Sequence, residues 1–195
     1  MTLHSSRYRQ FLEKIIPWLI LVLLSVYSYA FFFQAPYPGF DLNRNEVAEI
    51  FVPTSSESLQ VGDQIVRVGI VSTKTFMANL RQTIFDAAEV GQNFSLIVER
   101  NGKSLQINWI YPGVTRIQVL QRLNSLWWLP FVFWIAGTAT LLFIRPKDLR
   151  WRLLVAFNYL TAIWLAAGGG PSAWHIWQSA IVLRSAVWLC LPVYL

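Results

Sequence analysis

Apolar and polar positions are distributed along this chain in two ways. Residues 15–33, 123–144 and 153–183 contain no Asp, Glu, Lys or Arg. A helix needs roughly 20 apolar residues to cross the hydrocarbon core of a bilayer. The first two stretches fit one span each, at 15–33 and 124–144. The third is too long for one, and Gly168-Gly169-Gly170-Pro171 breaks it. It reads as spans at 153–167 and 176–195 joined by an outer loop at 168–175, which makes about four transmembrane helices.

Between the first two spans the period shortens. Val47–Val52 alternates imperfectly and stops at Pro53, a strand pattern. Gln64–Val68 alternates as a second strand and Phe94–Arg100 as a third. Asn101-Gly102 is a two-residue hairpin turn. Lys103–Ile110 returns, with Leu105, Ile107 and Trp109 on one face. Phe76, Leu80, Ile84 and Ala87/Ala88 recur at helical spacing, so a helix is expected over 74–90 with Gly91 stopping it. The fold class is therefore an α+β domain, 36–113, inserted between membrane helices.

Charge orients this arrangement. The chain has 195 residues and a formal net charge of +6. Segment 34–124 holds eight basic and eight acidic residues and is neutral. The excess lies in the N-terminal arm 1–14 (Arg7, Arg9, Lys14 against Glu13), in the loop 145–152 (Arg145, Lys147, Arg150, Arg152 against Asp148) and at Arg184. Basic residues in short segments beside spans mark the cytoplasmic side. The arm and the 145–152 loop are expected in the cytoplasm, and 34–123 outside the plasma membrane. A nucleic-acid partner is not expected, because no basic surface remains. Ser28-Tyr29-Ala30 has the shape of a signal-peptide cleavage site. The apolar run continues through Phe31-Phe32-Phe33, which suits an uncleaved anchor better. One cysteine, Cys190, offers neither a disulfide nor a metal cluster.

The run Leu59-Gln-Val61-Gly62-Asp63-Gln-Ile65-Val66-Arg67-Val68 resembles the Leu-x-x-Gly-Asp-x-Ile-x-x-Val signature of bacterial PDZ domains. Residues 71–110 then supply, in the family's order, a hairpin, a helix, a Gly, an apolar strand, an Arg and an Asn-Gly-Lys turn. Gly69-Ile70 departs from the family's Asn-Gly. The resemblance implies a partly open β-barrel with one helix. It also implies that a peptide adds as a strand between the second strand and the helix, its carboxylate held by a Gly-Phe loop. Pro38-Gly39-Phe40 stands where that loop belongs. The peptide-binding candidates are Gly39, Phe40, Phe76 and Leu80. A core role for Phe40, Phe76 and Leu80, with a vestigial groove, is the other reading.

Two residues in the C-terminal spans carry possible sensing chemistry. His175 lies in Ala167-Gly168-Gly169-Gly170-Pro171-Ser172-Ala173-Trp174-His175 and titrates near neutrality, although an interfacial His beside Trp174 and Trp177 needs no such role. Arg184 lies mid-span, where a charge usually faces protein or a cavity. The order of first span, outer PDZ-like domain and spans with this segment resembles the N-terminal half of competence-type sensor histidine kinases. That resemblance implies a peptide-responsive input module and a further cytoplasmic output part beyond Leu195.

The sequence has no H-E-x-x-H, G-x-S-x-G or P-loop. His4 and His175 are its two histidines, and Asp148 is the sole acidic residue after Glu99. No enzyme activity, cofactor or metal is expected. The expected partners are membrane lipid and an extracytoplasmic peptide or protein C-terminus, with a homodimer left open. Two functions remain: a signalling input module, or a membrane-anchored PDZ adaptor for exported proteins.

Overall fold

A computed structural model describes residues 3–43, 45–52, 58–79, 84–85 and 88–168. The described chain forms two compact units: residues 3–30 with 126–168, and residues 31–125.

The first unit is helical. Helix α1 spans Leu3–Tyr29 and continues as a π-helical turn over Ala30–Gln34. Helix α4 (Leu129–Phe143) follows a short 3₁₀ turn at Leu126–Trp128, with Pro130 near its start, where the missing amide costs nothing. Helix α5 spans Leu149–Gly168. Among the described residues three stretches are long and apolar enough to cross a membrane: Glu13–Gln34, Leu126–Phe143 and Leu149–Gly168. They coincide with the first three expected spans. The third starts earlier than expected, because Arg150 and Arg152 belong to its first turns. The expected span at 176–195 and the loop beyond Gly168 lie outside the described residues.

Packing in this unit uses small residues and indole hydrogen bonds. A Cβ on Gly137 would stand 2.9 Å from Tyr159 Cε1 and 3.2 Å from Asn158 Cβ, so α4 and α5 approach closely there. Thr138 Oγ1 and the Tyr159 hydroxyl are 3.1 Å apart. The Trp151 indole donates to the Thr140 carbonyl at 2.9 Å, and the Trp134 indole to the Pro17 carbonyl at 2.8 Å. Ile20 and Leu24 of α1 pack with Tyr159 and Ala162 of α5. Lys147 pairs with Glu13, joining the α4–α5 loop to the first turns of the α1 span.

The second unit is built on one antiparallel sheet. Its strands are β1 (Phe40–Asn43), β2 (Glu46–Ile50), β3 (Gln64–Val68), β4 (Val71–Ser72), β5 (Asn93–Arg100) and β6 (Lys103–Ile110). The order is β1-β2-β3-β5-β6, with β4 paired to β3. Among the described residues β1 and β6 do not pair, so no barrel is closed. Asn101 (φ 52°) and Gly102 (φ 72°) are both left-handed, as the two-residue β5–β6 turn requires. The core comprises Phe40, Val47, Leu59, Ile65, Val68, Phe76, Ile84, Phe85, Leu96, Val98, Ile107, Trp109 and Tyr111. Ile107 and Trp109 are buried as their alternation predicts; Leu105, nearer the open hairpin end, is exposed.

The helix expected over 74–90 is not formed as such. Helix α2 spans only Thr73–Ala78, capped by Ser72 Oγ accepting from the Thr75 amide, and Asn79 is already extended. Phe85 adopts φ 61°. Adjacent Ile84 and Phe85 are both buried, and Phe85 packs edge-on to Phe40 and Phe94. That positive φ is incompatible with a continuous helix, so the aromatic core overrides the helical spacing. A further helix, α3 (Arg116–Asn124), was not foreseen; Thr115 caps it by accepting from the Gln118 amide.

Candidate functional site

The sheet domain contains one candidate binding edge and two polar joints. The first joint explains the Leu-x-x-Gly-Asp-x-Ile-x-x-Val run. Leu59, Asp63, Ile65 and Val68 are buried, and the residues between them face outward. Gly62 turns at φ 92°, and its amide donates to the Val47 carbonyl at 2.9 Å. Asp63, 1% exposed, accepts from Arg100 Nε at 2.7 Å and Nη2 at 2.7 Å, and from the Gln60 amide at 2.8 Å. Arg100 Nη2 also donates to the Ser58 carbonyl at 2.9 Å. Burial pushes the Asp63 carboxyl up, but these hydrogen bonds and the Arg100 charge outweigh it and hold it below the usual carboxylate range. The pair is therefore a lock between the β3 entry and the β5 exit, with both lone-pair-bearing oxygens already committed.

The candidate edge is β1, an end strand of the sheet. It begins at Phe40, directly after Gly39 (φ 88°). A Cβ on Gly39 would stand 2.7 Å from Pro112 Cγ and 3.1 Å from Trp109 Cζ2. The Trp109 indole donates to the Pro38 carbonyl at 2.7 Å, which fixes the loop from beneath. The Gly39 carbonyl accepts from the Phe51 amide at 2.8 Å and so faces β2. Backbone polar groups of successive residues in a strand point to opposite sides. The Phe40 amide and carbonyl therefore face the outer edge of β1. A β-bulge follows between Asp41 and Leu42.

The candidate residues fare differently. Gly39 and Phe40 stand together at the start of β1. The Phe40 and Phe76 side chains are core, 3% and 2% exposed; Phe40 packs edge-on to Phe85 and Trp109. What Phe40 can offer a ligand is its backbone. Leu80, His175 and Arg184 lie outside the described residues. Among the described residues no group of three His, Cys, Asp or Glu side chains could hold a metal.

The chain matches no family model, no curated protein and no solved structure. The geometry of its own residues must therefore carry the functional reading.

The second joint was missed in the sequence. Arg122, in α3, donates from Nη1 to the carbonyls of Phe31 (2.7 Å) and Ala35 (3.2 Å) and from Nη2 to that of Pro36 (2.5 Å). Its guanidinium carbon lies 3.6 Å from the Tyr37 ring centroid and 5.5 Å from that of Phe31. The Tyr37 hydroxyl donates to the Phe32 carbonyl at 2.8 Å, and the Tyr37 amide donates to the Tyr111 hydroxyl at 2.9 Å. Burial lowers the Arg122 pKa, while the charge and hydrogen bonding of Tyr37 act against it; a guanidinium stays protonated at neutral pH regardless. Burial raises the Tyr111 phenol, opposed by the Tyr37 amide and the Arg122 charge. This cluster ties the chain leaving the first span to the helix that leads into the second. The only sequence signal was an Arg just before an apolar run, indistinguishable from an ordinary flanking charge.

Proposed function

We propose that the chain is a membrane-embedded sensor module whose PDZ-like domain, outside the plasma membrane, accepts an extended peptide or protein C-terminus along β1. The observation that carries this reading is the outward-facing backbone of Phe40 on an end strand, directly after the rigid Gly39 turn. A strand added there gains main-chain hydrogen bonds, with selectivity left to side-chain pockets. The Leu59–Val68 signature and the strand order support the likeness to bacterial PDZ domains.

The reading includes a topology with arm 1–14 and loop 145–152 in the cytoplasm. The Glu13–Lys147 pair supports it, because it joins those two ends. His175 and Arg184 remain the candidates for a second sensing element in the later spans. The proposal takes from the resemblance to the N-terminal half of competence-type histidine kinases that the module serves a signalling output.

The test is binding to the full chain in lipid nanodiscs, with a library of peptides ending in free carboxylates and the same peptides amidated. The reading expects a subset to bind and amidation to abolish that binding. A folded chain that binds no peptide, or binds both forms equally, contradicts it.

A further inference from the structure

Helix α3 is arranged inside out. On a helical projection at 100° per residue, Arg116, Ile117, Leu120, Leu123 and Asn124 share an arc of about 120°. All five are exposed, with Ile117 and Leu120 each at 59%. The other side of the helix, turned to the protein, carries Gln118, Gln121 and Arg122 beside Val119. Gln118 is 5% exposed. Gln121 donates to Glu49 at 2.7 Å, and Arg122 holds the carbonyls of Phe31, Ala35 and Pro36. A helix on a water-facing surface has the reverse pattern. The helix cannot roll to bury Ile117 and Leu120 without breaking the hydrogen bonds of Gln121 and Arg122.

Three further observations say what covers the apolar arc. Val114 before the helix and Leu126 after it are also exposed, at 69% and 66%, so the apolar surface continues along the chain. Leu126 opens the stretch Leu126–Phe143, which is apolar enough to cross a membrane; the tandem Trp127-Trp128 at its start suits a headgroup belt. No Asp or Glu occurs from Arg100 to Lys147, and Arg116 borders the arc. An acid-free, Arg-flanked apolar face contiguous with a span has the composition of an interfacial helix.

We propose that α3 lies in the membrane interface, with Ile117 and Leu120 entering the boundary between headgroups and acyl chains and Arg116 at phosphate level. Lipid is then the partner of this face. Gln121 and Arg122 bind α3 to the rest of the sheet domain on the side of the helix away from the lipid.

The experiment uses the full chain with Cys190→Ser, reconstituted in phosphatidylcholine–phosphatidylglycerol vesicles. A polarity-sensitive fluorophore is attached to a single cysteine at Ile117→Cys, at Leu120→Cys or, as control, at Ser104→Cys in β6. Lipids carry a doxyl quencher near the headgroup or near the chain end. The expected result is blue-shifted emission at both helix sites, lost mainly to the shallow quencher, and water-like emission unaffected by either quencher at Ser104→Cys. Two sites keep the test decisive if one variant fails to fold. Water-like emission at both helix sites overturns the proposal. So does blue-shifted emission that no doxyl lipid quenches, which would mean that a protein surface or a second copy of the chain covers the helix. A chain that fails to float with the vesicles overturns the membrane reading itself, a result distinct from these.

Discussion

The guanidinium carbon of Arg122 lies over the ring of Tyr37, 3.6 Å from its centroid. The stack matters because the same guanidinium holds three backbone carbonyls of the segment leaving the first span. Arg122→Ala would strand those acceptors and remove the cation–π contact. Each buried acceptor left alone costs roughly 1–3 kcal/mol. The expected loss is about 3 kcal/mol, read as a lower unfolding midpoint of the sheet domain in nanodiscs. Arg122→Lys should recover only part of it, because an ammonium cannot fork between carbonyls or stack as a plane.

The Asp63–Arg100 pair predicts an acid dependence. The folded-state pKa of Asp63 is lowered, so its contribution is present above the unfolded carboxyl pKa of about 3.9. It is lost as pH falls through the lower folded value. Asp63→Asn leaves Arg100 without its carboxylate and should destabilise the domain by about 3 kcal/mol. It should also remove part of the acid limb of the stability curve. Chemical denaturation from neutral pH downward measures both.

At the binding edge, Gly39→Ala meets a left-handed backbone and the atoms of Pro112 and Trp109. Gly102→Ala shares the positive φ but has nothing within 4 Å of its Cβ. The hairpin variant should lose about 1 kcal/mol, and Gly39→Ala more. Thermal unfolding ranks them; equal losses would mean that the Gly39 turn gives way.

In the membrane unit, Gly137→Leu forces α4 from α5 at Tyr159 and Asn158. The overpacked variant should lose about 2 kcal/mol, read as a lower unfolding midpoint of the full chain in nanodiscs; an unchanged midpoint would mean that the two helices part there at no cost.

Much of this fold could be read before any coordinates. Spans announce themselves because bilayer thickness imposes a length without charge. The strands β3, β5 and β6 and the Asn101-Gly102 turn follow from period-two alternation and left-handed turn residues, both local properties. The failures share another cause. The apolar spacing over 74–90 imitates a helix because Phe76 and Ile84 do enter the core, but by separate routes around the Phe85 turn. β1 was illegible because it is only four residues long, Phe40–Asn43, and its pairing with β2 is bulged. α3 was missed because its apolar residues face away from the protein, so they read as a prelude to the next span. Arg122 reaches acceptors 86–91 residues away, and no local pattern encodes that. Within the candidate edge, the place of Gly39 and Phe40 at the start of a strand was legible by likeness; the outward direction of the Phe40 backbone required the Gly39–Phe51 hydrogen bond.

The central claim is that a peptide received at β1 is felt at the joint between Arg122 and Tyr37. Amide hydrogen exchange of the full chain in nanodiscs, with and without a bound carboxylate-ended peptide, tests it most directly. The account predicts slowed exchange at Phe40 together with altered exchange at Tyr37 and across Arg116–Asn124. A bound peptide that leaves Phe40 and α3 unchanged, or protects a different edge of the domain, would contradict it.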